Sequence, residues 1–331
     1  MFLTPFLQKL KSKISDNGGL FNAHMHIDRA GTSYCIQEKH FETLNEKHAR
    51  ISDLHGLREY EEANIVKRVE PYVRYMEGIG TARADTFVDV SSKIGLSAIR
   101  AMRQLKKDAA FDLRIGAYSP MGFRCGDQEF MRIFRDAVEQ SDFIGCLPER
   151  DEIADYPGHI GFEVHCETML NMGAEFGVPV HIHADQKNIP GERGVQLVLN
   201  AVESAEVLPP EVWIIHAISL SAESDSVFYQ TCERLVGAKV GIICCPSAAL
   251  SMVQRREYLS PTHNSIARVL DLCRAGVDVR IGCDNIADIF LPATSPDMIF
   301  EILTLANAVR CYDVDLLARL ASTRAAPVPK L

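Results

Sequence analysis

Phe21-Asn22-Ala23-His24-Met25-His26-Ile27-Asp28-Arg29 is a short apolar run that carries two histidines two residues apart. Side chains of a β-strand alternate between its faces, so a strand over about 20–27 points His24 and His26 the same way, where they can hold one metal ion. A lone His-x-His is weak evidence, because histidines also sit in strands as hydrogen-bonded core residues. The rest of the chain strengthens it. Further apolar runs end in His183, His216 and Asp284, in an order and at spacings that suit one cup-shaped site.

Working outward from that strand, residues 4–16 read as a short amphipathic helix stopped by Gly18-Gly19. Downstream, the apolar runs 86–90, 113–118, 143–147, 178–184, 212–217, 240–245 and 277–282 read as buried strands. The stretches 95–107, 127–140, 161–176, 191–205, 222–236 and 264–275 between them read as helices. With the first strand this makes eight, and the alternation predicts an α/β fold of the (β/α)8 TIM barrel type, one domain over residues 1–331. Its active site is expected at the C-terminal strand ends. A doubly wound open sheet is the alternative, but no G-x-G-x-x-G or P-loop follows the early strands.

One segment departs from the alternation. Residues 31–80 are rich in charge, contain His40, His48 and His55, and show helical periodicity over 57–76. A connection of this length at a strand's C-terminal end is more often functional than filler, so it is expected to be a helical lid or the arm of a homo-oligomer. Its three histidines are expected to face solvent.

Composition narrows the partners. At 331 residues, 47% hydrophobic and 24% charged, the chain reads as a soluble globular protein. A formal net charge of −9 gives no reason to expect nucleic acid, and a small molecule is the default partner. No run approaches the roughly 20 apolar residues of a membrane span, and the first ten residues lack the apolar core of a signal peptide. The ten cysteines are scattered, include adjacent Cys244-Cys245 and form no C-x-x-C, which fits a reducing cytoplasm.

On a barrel, His24 and His26 fall at the end of the first strand, His183 and His216 after the fifth and sixth, and Asp284 just past the eighth. Neutral imidazole suits Zn²⁺ or Fe²⁺, and a carboxylate can bind the ion and accept a proton from its water. His181 shares a face with His183, and either could be the ligand; His183, nearer the strand end, is preferred. Asn285 and Asp288 are candidate substrate contacts, with helix capping as the other role. Glu149 could bridge a second metal, but no lysine occupies that strand end, so a single ion is expected. Arg255, Arg256 and His263 lie on the loop after the seventh strand, over the expected pocket.

The order H-x-H-x-D, then His after strand five, His after strand six and Asp after strand eight resembles the amidohydrolase superfamily of metal-dependent hydrolases, and within it the cytosine deaminase branch. The matching segments are His24-Met25-His26-Ile27-Asp28, His183-Ala184-Asp185-Gln186, Ile215-His216-Ala217 and Gly282-Cys283-Asp284-Asn285. Ile266-Ala267-Arg268-Val269-Leu270, Ala275-Gly276-Val277 and Ala321-Ser322-Thr323-Arg324-Ala325-Ala326 also look like that branch. The resemblance implies one divalent ion, zinc or iron, on His24, His26, His183 and Asp284. It implies His216 beside the metal-bound water as proton shuttle, and Asp284 taking that water's proton. The activity implied is deaminase-like hydrolysis of a C–N bond in a small nitrogen heterocycle. A metal-dependent ester or phosphotriester hydrolase and a catalytically silent ligand-binding barrel are the alternatives.

Three departures shape the expectation. The family usually carries a small β-sandwich, for which the flanks here are short, so a bare barrel is expected. The stretch Tyr118-Ser119-Pro120-Met121-Gly122 lacks the glutamine that grips the pyrimidine in cytosine deaminases. The family's strand-five glutamate is here Gln186, and an amide cannot donate and retrieve a proton as a carboxylic acid does. Either Asp185, Glu192 or protonated His216 supplies the acid, or Gln186 only orients a substrate carbonyl by hydrogen bonding; the second is favoured.

Overall fold

The computed structural model describes residues 4–35, 44–252 and 266–324. Its eight strands are β1 (Leu20–Met25), β2 (Thr81–Asp89), β3 (Asp112–Tyr118), β4 (Phe143–Cys146), β5 (Val180–Ala184), β6 (Val212–His216), β7 (Val240–Cys244) and β8 (Val279–Ile281), all parallel and paired in chain order. The two ends of that order meet. His26 N–H donates to the Asp284 carbonyl at 2.8 Å and Asp284 N–H to the His24 carbonyl at 3.0 Å. The sheet is therefore a nearly closed (β/α)8 barrel, as the alternation predicts. Gly282 permits this closure, because a Cβ there would stand 2.6 Å from the His24 carbonyl oxygen and push β8 off β1.

Around the strands run α1 (Pro5–Asp16), α2 (Leu44–Leu54), α3 (Glu62–Gly78), α4 (Ser97–Asp108), α5 (Gln128–Val138), α6 (Phe162–Phe176), α7 (Gly194–Ser204), α8 (Asp225–Ala238), α9 (Pro246–Leu250), α10 (Val269–Arg274), α11 (Met298–Ala308) and α12 (Val314–Leu320). Their boundaries follow local chemistry. The Asp127 side chain caps α5 by accepting from Phe130 N–H, and Phe130, Phe134, Ala137 and Val138 turn one face inward. Gly177, left-handed at φ 65°, ends α6.

Two apolar layers hold the barrel. One lies between strands and helices, where both faces of parallel strands are buried and their sequences read as unbroken apolar runs. The other fills the interior with Phe21, Phe87, Phe143, Ile215 and Ile243. Gly145 makes room there, since a Cβ would meet the Phe87 ring at 2.7 Å.

The elements differ from the periodicity at three places. Strand β2 begins at Thr81 rather than 86, because Arg83 and Asp85 neutralise each other in a bidentate pair at 2.9 and 2.7 Å and so enter a strand that polarity argues against. Helices α11 and α12 follow β8, and the chain then returns to the start of β1, where Phe21 N–H donates to the Ala321 carbonyl at 2.8 Å. Within 31–80, α3 buries Ile65, Val69, Val73 and Met76 in the outer layer. Among the described residues every named strand belongs to the one sheet, and no helix is long and apolar enough to cross a membrane.

Candidate metal centre

The closure that joins β8 to β1 also assembles the candidate ligands. Asp284 Oδ1 stands 3.4 Å from His24 Nε2 and 3.5 Å from His26 Nε2, and Asp284 Oδ2 3.9 Å from His216 Nε2. Ligand atoms of His24, His26 and Asp284 lie within 4.8 Å of one another, as do those of His24, His183 and His216. His24 belongs to both groups, so five side chains from four strand ends converge. Four residues at these strand ends have left-handed backbones: Asp185 (φ 60°), His216 (φ 78°), Ala217 (φ 51°) and Asp284 (φ 61°). Such angles are uncommon outside glycine and cluster where the surrounding structure over-determines them. Here the bonds from Ala217 N–H to the Ala184 carbonyl and from Ile218 N–H to the Asp185 carbonyl hold the turn.

The donor set fits a metal ion. His24 is fully buried and neither ring nitrogen has a hydrogen-bond partner, a costly state for an imidazole unless a ligand completes it. His183 Nδ1 donates to the Cys146 carbonyl at 2.8 Å, which leaves Nε2 as the lone-pair nitrogen turned to the cluster. Burial, with the Arg29 charge for His26 and the neighbouring His24 for His183, holds both imidazoles well below their ordinary pKa. His216 is pushed down to about 4 by burial, against the pull of Asp284. Burial works to raise the Asp284 carboxyl, but the His24 contact and the His216 ring outweigh it and keep it ionised. Neutral imidazoles around one carboxylate are the ligand chemistry of zinc and of ferrous iron.

Over the cluster lies a cavity of about 60 Å³ whose lining includes His26, His183, His216, Asp284, Gln186 and Asn285. At ~10–15 Å³ per water this is room for a few waters or one small ring. Gln186 Nε2 donates to Glu149 Oε2 at 2.8 Å and its backbone N–H to Glu149 Oε1 at 3.3 Å. Asn285 Nδ2 donates to Asp288 Oδ2 at 2.8 Å. Each amide thus commits one N–H and keeps its carbonyl oxygen and its second N–H for a ligand. Asp288 does not line this cavity; its Oδ1 accepts from Phe290 and Leu291 N–H, so it braces Asn285 from behind.

Of the three acids named as substitutes for the missing glutamate, His216 lines the cavity and the two carboxyls are placed elsewhere. Asp185 accepts from Gly194 N–H at 2.7 Å at the start of α7, and Glu192 accepts from Ser219 Oγ and Lys187 N–H. Neither lines the cavity. Glu149 is engaged by Gln186, and burial, with Glu192 nearby, raises its carboxyl well above the ordinary value. His181 lies deeper, its ring stacked 4.5 Å from that of Phe143, and lines a separate space at the N-terminal strand ends. The structure therefore groups His183, and not His181, with His24 and His216.

Several site residues escape the sequence patterns. Arg29, His48, Tyr118, Ile218, Met252 and Phe290 also line the cavity. The solvent expectation for the histidines of 31–80 fails at His55, buried between Ser91 Oγ and Asp89 Oδ2, 3.0 Å from each, while His48 is half-buried and lines the cavity. Their polar neighbours in sequence gave no sign that tertiary partners would cover them. Asp28, the acid of H-x-H-x-D, accepts from Asp89 N–H at 2.9 Å and ties β2 to β1. His40, Arg255, Arg256 and His263 lie outside the described residues.

No family model matches the chain. An uncharacterised protein of Haemophilus influenzae is 28% identical over 276 residues, 79% of this chain and 92% of that one. Among solved structures, 5-methylcytosine deaminase of Klebsiella pneumoniae liganded with 5-fluorocytosine superposes with a TM-score of 0.76 at 19% identity, over 88% of this chain and 69% of that one. N-isopropylammelide isopropylaminohydrolase of Burkholderia multivorans gives 0.70 at 18% identity, over 92% and 72%. At these identities the likeness shows a shared (β/α)8 barrel fold.

Proposed function

We propose that the protein is a metal-dependent hydrolase that cleaves a C–N bond of a small nitrogen heterocycle. The observation that carries this is His24, fully buried with both ring nitrogens unpartnered, at the centre of four other candidate metal ligands and proton carriers. His24, His26, His183 and Asp284 would hold one divalent ion, zinc or iron. When bound, the ion lowers the pKa of a coordinated water from 15.7 towards ~7 and so supplies a nucleophile at neutral pH. The chain's own groups do the rest. Asp284, held ionised, accepts a proton, and His216, 3.9 Å away, relays it towards the leaving nitrogen. Gln186 and Asn285 orient the ring by accepting hydrogen bonds from its N–H groups. The fold neighbours, a deaminase and an aminohydrolase by name, support this reaction class.

Elemental analysis of protein expressed in metal-supplemented medium should find one zinc or iron per chain. His24→Ala and Asp284→Ala should lose most of it and essentially all turnover, because an incomplete ligand set binds weakly. A screen of aminated pyrimidines, purines and triazines for ammonia or amine release should then find a substrate for the wild type. A metal-free wild type, or a metal-loaded protein inert towards the whole panel, overturns the assignment.

A further inference from the structure

Arg29 directly follows the H-x-H-x-D motif and is none of its candidate ligands. The side chain is almost fully buried yet lines the cavity, with the guanidinium carbon 5.3 Å from the Phe290 ring centroid. Phe290, a cavity residue itself, also meets the His48 ring. Its Nε stands 3.9 Å from Asp89 Oδ2, beyond hydrogen-bond reach. Among the described residues Arg29 Nε has no hydrogen-bond partner. The same protein shows what a structural Arg–Asp pair looks like, because Arg83 grips Asp85 with two bonds at 2.9 and 2.7 Å. Asp89 is instead taken by His55 and by Tyr60 Oη, at 3.0 and 2.8 Å on the same Oδ2. Arg29 is thus a neutralised cation whose fork of donors is left under-used at the wall of a ring-sized cavity. Among the other polar groups of the lining, the Gln186 and Asn285 carbonyl oxygens can accept from a ligand.

We infer that Arg29 is the specificity residue of this site and binds an exocyclic oxygen of the substrate, an oxo group or a carboxylate, while the two amides accept from its N–H groups. This rests on the heterocycle-hydrolase proposal and narrows it: the substrate class is an amino-heterocycle that carries an oxygen acceptor on the edge facing Arg29. A ring that bears only amino groups leaves buried guanidinium donors without an acceptor, and sites built to hydrogen-bond a group strongly reject the analogue lacking it.

The test is calorimetric titration of metal-loaded protein with two matched pairs. Cytosine against 4-aminopyrimidine reads an oxo group, and 2-aminopyrimidine-5-carboxylate against 2-aminopyrimidine reads a carboxylate. Wild type should prefer the oxygen-bearing member of one pair by about 10- to 100-fold, the scale of one charge-assisted hydrogen bond. Arg29→Lys, which keeps the charge beside Asp89 but not the planar fork, and Arg29→Gln with Asp89→Asn, which keeps the balance of charge, should both lose most of that preference. Their metal content and affinity for the oxygen-free member should hold. A structural role would instead lower both affinities together, and with them the thermal stability of Arg29→Lys. A preference that survives both variants, a wild type indifferent to the oxygen, or no binding of either pair at millimolar concentration overturns the inference. Arg29-dependent preference without hydrolysis of any ring would sink the hydrolase reading and leave the Arg29 assignment standing.

Discussion

Gln186 is the residue at which the site departs from the pattern it resembles, and the tertiary structure shows what holds it. Its amide is fixed by Glu149, a buried carboxyl that burial and Glu192 keep well above the ordinary range. Gln186→Glu would set a second carboxyl against Glu149 at that 2.8 Å contact, and two buried carboxyls so close share one proton. The variant should retain its metal, since Gln186 lies outside both ligand groups. Its kcat/KM for the heterocycle that wild type turns over best should fall about 10- to 100-fold, the loss expected when one orienting hydrogen bond is reversed. Parallel metal analysis and kinetics check this; a large rise in turnover would mean that an acid is wanted here and that the amide is an impairment.

At the scale of elements, 31–80 divides between barrel wall and site. Helix α3 packs in the outer apolar layer, whereas α2 brings His48 to the cavity and ends at His55. The anchor is polar: His55 to Asp89 and Ser91, Tyr60 to Asp89 and Asp28, and Arg68 to the backbone carbonyls of Asp28 and Glu59 at 2.8 and 3.1 Å. His55→Ala strips a buried carboxylate of a partner and should cost about 1–3 kcal/mol in urea unfolding. We propose that this anchored segment works as the lid or intersubunit arm that its length suggests. Proteolysis within residues 44–57 should quicken in His55→Ala and slow under saturating ligand if the segment is a lid. Cleavage there that ignores both changes leaves only the arm.

Across the whole molecule, one buried acid links stability to pH. Glu301 on α11 is fully buried, accepts from Ser247 N–H at 3.0 Å near the start of α9, and is pushed up to about 7 chiefly by burial, with the Asp284 charge adding. An unfolded glutamate titrates near 4.3, so between about pH 4.3 and 7 the folded state holds more protons than the unfolded one. The stabilisation is complete below that window and is lost as pH rises through about 7, by up to about 4 kcal/mol. Glu301→Gln, whose amide oxygen can accept the same bond, should flatten the fall. Urea midpoints of both proteins at pH 5 and pH 8, metal-loaded throughout, measure it; parallel pH slopes would remove Glu301 from the account.

Eight apolar runs in βα alternation are enough to specify the barrel, because a parallel strand is buried on both faces and its sequence records that directly. The two-residue spacing of His24 and His26 likewise places them together, since strand periodicity is local. The same periodicity could not choose between His181 and His183, which share a face and differ only in depth; Phe143 below and Cys146 beside them decide that. Nor could it show that His55 is buried, that Glu149 turns the Gln186 amide, or that Arg29 and Phe290, 261 positions apart in sequence, form one wall of the cavity. These depend on barrel closure and on left-handed turns at the strand ends, which bring together side chains that no local pattern relates.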